Sequence, residues 1–467
     1  MQLAGRAATA LLSAAAFVLL GRHLDDPALG VFNFHFTLFL ILGALADFGS
    51  MSIAVRESTR RPEREEAVIR AVFRLRLRLA AAGFAVYAPI AWFEARDPVR
   101  FGLLMVAALH LFATAPAAAA AWLQTRVRLT AVALAPIAGF ALYFGGCVLL
   151  LAIGVREPGW FVLALAAGFS LQAIVPWAAT RRRVALRGAG DRALERELLH
   201  AMLPLGVSAA VSTIYFRMDA VLLRQLVGAD ANGLYARAFP MLSLAIALPT
   251  YLSAALLPAM TRAAARGPGP LLVLARRSCS VLAGLVLPAA AVAWSWGAQL
   301  LWVLWARHGE GESLAAFSSA NRDLVRCVPA LAVAAVAIFL TYPQMHALTA
   351  MGRQRVLARI SLLALGVKLA ASVVAIRRFG VPGAALATAL AEVGVLGWVS
   401  FELRRACGGL APSRALLRPL LAALPAGGVA ALAPDLAPLS ALAAGFGLAA
   451  AGSLLSGALP LRLGVGE

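Results

Sequence analysis

Outside its apolar runs, the chain has no segment long enough to fold alone. Its longest polar connections, near residues 56–73, 181–200 and 261–278, are each about 20 residues. A self-supporting domain needs roughly 40 or more. That excludes a soluble ATPase or catalytic domain, and no P-loop is present. Energy for any transport must then come from gradients or from the substrate's own chemistry. Cysteine is scarce. Cys147, Cys279, Cys327 and Cys407 are isolated, with no CxxC spacing, so neither a metal site nor a disulfide framework is indicated. They read as small apolar fillers. Lysine is nearly absent, Lys368 being the only one. The rest of the 42 lysine and arginine residues are arginine, and the missing lysines carry no functional weight. Charged residues make up 14%, against about one quarter in soluble domains.

What is there is hydrophobic. The 467 residues are 62% apolar, and mean hydropathy is +0.84. Apolar runs of about 18 or more residues recur from end to end, the mark of a polytopic membrane protein. They lack the two-residue alternation of barrel strands, so an all-α architecture is expected. Fourteen spans are predicted, at 4–22, 28–53, 74–93, 99–123, 131–153, 160–179, 201–227, 233–260, 279–305, 325–349, 358–376, 383–403, 417–433 and 439–458. The last pair has weak edges, so twelve spans with an irregular tail is the alternative.

The formal charge of +20 would suggest nucleic acid in a soluble protein. Here placement decides. With alternating connections and span ends counted to their side, 29 basic residues fall on one side and 9 on the other; Arg217, Arg224, Arg237 and Lys368 lie deeper within spans. The arginine-rich side, with both termini, is expected in the cytoplasm. This bias accounts for most of the charge without nucleic acid. Residues 1–22 have signal-peptide features, but the next span follows at once and continues the topology. They read as an uncleaved first helix.

Two regions repeat. "LLGRHLDDPALGVFNFHFTLFL" begins at Leu19 and "LLRQLVGADANGLYARAFPMLS" at Leu222. Each ends a helix on basic residues, then gives an acidic turn, small residues, a glycine (Gly30 or Gly233) and an aromatic. Spans 1–6 and 7–12 then form two parallel halves, a transporter design with the site between halves. The expected domains are 1–180, a linker with an amphipathic helix at 181–200, 201–403, and 404–467 with two extra spans.

"LLGRHLDDPALGVFNF…ALADFGSMSIAVRES" resembles the first two helices of the polysaccharide-biosynthesis (Wzx-type) oligosaccharide flippases. "YFRMDAVLLRQLVGADANGLYARAF…LPTYLSAALLPAMTR" resembles their seventh and eighth. These belong to the MOP superfamily, with the MATE exporters and the lipid II flippase. The motifs cover about a quarter of the chain and do not identify a substrate. The resemblance implies transport, not enzymatic activity. The cargo would be an undecaprenyl-diphosphate-linked oligosaccharide, such as an O-antigen (lipopolysaccharide), capsule or exopolysaccharide repeat unit. It would cross the bacterial inner membrane. Membrane lipid, and a glycan polymerase and glycosyltransferases, are the implied partners. No cofactor or metal is implied beyond H+ or Na+ coupling.

Ionisable groups within spans are the candidate site residues, since mid-membrane charge faces a partner or a watery cavity. Arg217 is expected to contact pyrophosphate, because arginine binds phosphate oxygens bidentately. Asp219 lies about 160° around the helix from it and is expected to face a neighbouring helix or a coupling cation. Arg224 and Arg237 match in depth near the periplasmic end, as substrate contacts or snorkelling interface anchors. Arg6 and Asp47 are expected to meet near the cytoplasmic end, Arg6 serving as substrate contact and Asp47 as gate. Lys368 and Glu392 are each twelve residues from Gly380, so an ion pair between spans 11 and 12 is predicted, either a static brace or a coupling relay. His35, His110 and His346 are proton carriers or satisfied packing residues, with His346 in the polar kink "TYPQMHALTAMG" the best candidate. "RLRLRL" at 74–79 reads as an anchor to anionic head groups.

Other functions compete. A MATE-like cation-coupled antiporter would share the fold, but a basic cavity favours an anionic substrate. A polyprenyl-sugar glycosyltransferase could use Asp25 and Asp26, yet no loop could house its sugar site. A non-transporting envelope scaffold is the remaining class. Alternating access between the halves is the expected mechanism.

Overall fold

The computed structural model describes residues 2–409 except 96, 187, 189 and 307–311. Predicted spans 417–433 and 439–458 lie outside the described residues. So does the Arg6 side chain.

Every described regular element is helical, as lipid demands of a backbone that must satisfy itself. In chain order these are α1 (Gln2–His23), α2 (Asp26–Asp47), α3 (Ser50–Arg60), α4 (Glu65–Glu94), α5 (Pro98–Ala108), α6 (His110–Ala113), α7 (Ala120–Thr125), α8 (Thr130–Ala152) and α9 (Pro158–Thr180). Then follow α10 (Arg192–Leu226), α11 (Ala229–Ala265), α12 (Pro268–Ser295), α13 (Gly297–Trp305), α14 (Leu314–Ala320), α15 (Arg322–Ala350), α16 (Gln354–Phe379) and α17 (Val381–Cys407). Each of the twelve predicted spans up to residue 403 falls on helix. Among the described residues, nine helical stretches are long and apolar enough to cross a membrane. The chain is an all-α polytopic membrane protein.

Three departures from the sequence reading have local causes; a further break, at Trp296, divides α12 from α13 within the ninth predicted span. The second span breaks at Phe48–Gly49, whose φ values of 44° and 70° are left-handed, a geometry glycine adopts without strain. The corner divides α2 from α3. The fourth span is interrupted between α6 and α7, where Pro116 brings no backbone N–H and disfavours helix before it. The expected amphipathic linker helix is not separate: α10 starts at Arg192 and runs unbroken into the seventh span.

The chain divides into two compact units, Met1–Arg224 with Gly228–Gly233, and Gln225–Val227 with Leu234–Glu467. The division places most of α10 and the first turn of α11 with α1–α9. In the first unit α8 packs on α1 and α9, and α4 on α2 and α3. Gly139 and Gly168 let α8 and α9 cross closely: a Cβ on either would crowd the other's carbonyl oxygen, the small-residue packing usual in membranes. Toward the arginine-rich end, Ile53, Val68, Val72, Leu194, Leu198 and Met202 form one core from α3, α4 and α10. In the second unit α15 packs on α12 and α17, and α17 on α16, around Cys279, Leu340, Ile360 and Val399.

Candidate functional site

The first unit carries three polar constellations. Asp47 closes α2 and Ser50 opens α3, so the left-handed corner aims both toward α4. Arg76 on α4 is 3% exposed. Its Nη2 pairs with Asp47 Oδ1. Its Nε donates to Ser50 Oγ at 2.6 Å, and its Nη1 to the Thr114 carbonyl at 3.1 Å. That carbonyl lies at the proline-interrupted span. Arg76 is thus a partner of Asp47; the expected Arg6 contact lies outside the described side chains.

The arginines of "RLRLRL", expected as lipid anchors, also have protein partners. Arg74 donates to Glu195 at 3.3 Å and to the Gly188 carbonyl. Arg78 pairs with Glu195 at 2.7 Å, and Arg70 reaches the Ala185 carbonyl at 3.3 Å. Glu195 is buried, so these arginines face protein groups. Nearby, Glu65 holds Arg126 at 2.8 Å, and this carboxylate raises the Arg126 guanidinium pKa above its ordinary value.

At the opposite end, Glu94 closes α4 and pairs with Arg224 of α10; Arg224 Nε to Glu94 Oε2 is 3.0 Å. Beside them in sequence is the repeated turn. A Cβ on Gly30 would overlap the Ala229 carbonyl oxygen, and a Cβ on Gly233 would overlap that of Asp26. One offset relates Gly30 to Gly233 and Asp26 to Ala229, so the two copies of the motif cross reciprocally. Asn33 Nδ2 donates to Asn232 Oδ1 at 3.0 Å, and Asn232 Nδ2 to the Gly30 carbonyl at 2.8 Å. Both asparagines are buried. Asp25 caps α2, accepting from the Ala28 amide at 3.0 Å, a structural duty in place of a metal ligand.

Arg217 lies about two turns along α10 from Arg224. Its guanidinium carbon is 5.1 Å from the Phe36 ring centroid. A cation over an aromatic face gains about 0.5–2 kcal/mol. Asp219 is 3% exposed, while Arg217 is half-buried. Two residues apart on one helix, they point to different surroundings. His35, buried on α2, bonds Tyr87 Oη at 2.9 Å through Nδ1. His110 Nδ1 donates to the Ala107 carbonyl at 3.0 Å.

In the second unit, Lys368 on α16 and Glu392 on α17 are 1% and 4% exposed, on helices that pack together. Arg237 Nη1 donates to Asn321 Oδ1 at 3.4 Å. Arg224 and Arg237, matched in depth by sequence, thus have distinct partners. His346 Nδ1 donates to the Tyr342 carbonyl at 2.9 Å. The kink's other polar group, Gln344, is buried and accepts from Ser400 Oγ at 2.9 Å. Among the described residues no group of three or more His, Cys, Asp or Glu is placed to hold a metal ion.

Sequence reasoning missed Arg76, Glu94, Asn33 and Asn232. Glu94 was detectable as a carboxylate ending a span. The asparagines were not, because they sit at different positions in the two repeat copies.

Residues 2–264 match the family of polysaccharide biosynthesis proteins. The chain belongs to that family. No curated protein matches it in sequence. Its fold is similar to that of the lipid II flippase MurJ in an inward closed conformation, with 13% identity and a TM-score of 0.79. That match covers 98% of this chain and 100% of that one. An inward-facing multidrug resistance MATE transporter of the MOP superfamily is similar at 15% identity and a TM-score of 0.67, over 85% and 95% of the two chains. A MOP superfamily transporter from Pyrococcus furiosus is similar at 15% identity and a TM-score of 0.60, over 88% and 94%. These likenesses show a fold shared with solved transporters.

Proposed function

We propose that this family member carries an undecaprenyl-diphosphate-linked oligosaccharide from the cytoplasmic to the periplasmic leaflet of a bacterial inner membrane. The cargo would be an O-antigen, capsule or exopolysaccharide repeat unit. The observation that carries the reading is Arg217, a guanidinium two turns inside α10 and set against Phe36. Arginine offers paired donors to phosphate oxygens. An aromatic beneath it fixes the fork and suits a sugar face. Arg6, Arg224 and Arg237 would add positive field along the path, with Arg224 exchanging Glu94 for substrate only if that pair opens.

Alternating access between spans 1–6 and 7–12, with both termini cytoplasmic, is the proposed cycle. The polyprenyl tail would stay in lipid while the head group crosses. Asp47, held by Arg76, would act at the cytoplasmic end. Lys368 and Glu392 would form the buried pair between spans 11 and 12, and with Asp219 and His346 they are the groups on which H+ or Na+ coupling would act. Glycosyltransferases and a polymerase would supply and consume the lipid-linked glycan.

A MATE-like antiporter of organic cations is the competing function. Its test is direct: the purified protein in vesicles is offered a polyprenyl-diphosphate glycan and, separately, a cationic dye. Movement of the glycan, lost in Arg217→Ala, is expected. Dye efflux without glycan movement would reject the proposal.

A further inference from the structure

The second unit has a cleft of about 790 Å3, lined by α12, α15, α16 and α17. Its wall is apolar and open: Val333, Phe379 and Leu390 are 39%, 57% and 60% exposed. Its polar lining is confined to Asp323 and Arg326 near the start of α15 and Arg378 near the end of α16. Antiparallel helices bring these to one level, the end away from the arginine-rich connections. Trp294, also lining the cleft, ends α12 at that level. Tryptophan marks the head-group depth of a bilayer. The cleft therefore runs from a basic rim at the membrane surface down an apolar trough.

The lining of the rim is net positive. Arg326 pairs with Asp323 at 3.6 Å. Among the described residues Arg378 has no carboxylate within ion-pair distance. Two guanidinium groups and one carboxylate leave a net single positive charge. That complements one phosphodiester, whereas a diphosphate would remain under-neutralised. A cleft of this size lies within the roughly 300–1,000 Å3 range that encloses small ligands, and basic pockets between spans hold phospholipid head groups. Snorkelling alone would send each arginine to water separately; here both line one cavity.

We propose that this cleft is a binding site for an anionic phospholipid of the phosphatidylglycerol type. Its phosphodiester bridges Arg326 and Arg378, and one acyl chain lies along Val333, Phe379 and Leu390. Binding there does not depend on the transported substrate.

The test uses the full chain purified in detergent. Phosphatidylglycerol, phosphatidylethanolamine, undecaprenyl phosphate and inorganic phosphate are added in turn. Melting temperature and the lipid retained in native mass spectrometry are read. Phosphatidylglycerol is expected to raise the melting temperature and remain bound. Retention should fall about tenfold, ~1.4 kcal/mol, in the double variant Arg326→Gln with Arg378→Gln. Ala330→Trp keeps both charges, fills the trough and should abolish the shift, which keeps the test decisive if the double variant folds poorly. An equal shift from phosphatidylethanolamine or inorganic phosphate would overturn the proposal. So would undecaprenyl phosphate retention that exceeds that of phosphatidylglycerol and falls in the double variant, or a phosphatidylglycerol shift undiminished in both variants.

Discussion

Asn33 on α2 donates to Asn232, which precedes Gly233 in the first turn of α11, at 3.0 Å. The bond locks a crossing at which Gly30 and Gly233 each leave room only for the other copy's carbonyl oxygen. If spans of the two repeats separate during transport, this crossing must open. Gly30→Leu should overpack it at a cost of about 1–3 kcal/mol and lower the melting temperature. Asn232→Leu removes both of its bonds and strands Asn33, which should cost about 1–3 kcal/mol and lower the melting temperature as well. Unchanged thermal unfolding in Gly30→Leu would show that the crossing is not close-packed.

Arg76 is buried and its ion-pair partner Asp47 is partly exposed, at 45% of its side chain. Removing the partner of a fully buried charge costs about 3–5 kcal/mol. Here water reaches Asp47, and Ser50 and Thr114 still accept from Arg76, so Asp47→Asn should cost about 1–2 kcal/mol. Arg76→Leu strands no buried carboxylate and should cost less than Arg76→Ala, which also leaves a cavity. Chemical denaturation in detergent would rank the three variants.

Arg217 provides the sharpest functional test. Arg217→Ala should reduce surface glycan by tenfold or more with protein level retained, since a charged hydrogen bond contributes about 1.5–3 kcal/mol. Arg217→Lys keeps the charge but loses the fork, so intermediate export is expected. Normal glycan in the alanine variant would remove Arg217 from the site.

Lys368 and Glu392 are both nearly inaccessible. If they pair, neutralising one should destabilise by about 3–5 kcal/mol, and the double variant Lys368→Met with Glu392→Gln by less. The cycle measures their coupling directly. Additive losses would refute the pair. Export by the double variant that no longer responds to an ionophore would assign the pair to coupling instead of bracing.

The helices were legible because lipid leaves little choice: each predicted span to residue 403 falls mainly on helix, although the second, fourth and ninth are broken, and the repeat pointed to Gly30 and Gly233. What the sequence hid were helix neighbours. Arg76 looked like one cation in an alternating basic run, and only the corner at Phe48–Gly49 shows that Asp47 and Ser50 face it. Depth matching joined Arg224 to Arg237 across one turn, whereas Glu94 on a distant helix lies beside Arg224. Depth can be counted along a chain; azimuth between non-consecutive helices cannot. Pro116 was visible, but its effect, a split span whose Thr114 carbonyl accepts from Arg76, needed the fold.

The segment before α10 is held by Arg70 and Arg74 through the carbonyls of Ala185 and Gly188, and Arg61 reaches Glu197 at 2.9 Å just beyond it. Covalent continuity is therefore not what keeps α4 and α10 together. A protein nicked at this connection should keep α4 and α10 joined by these contacts, as co-purification of the two pieces would show.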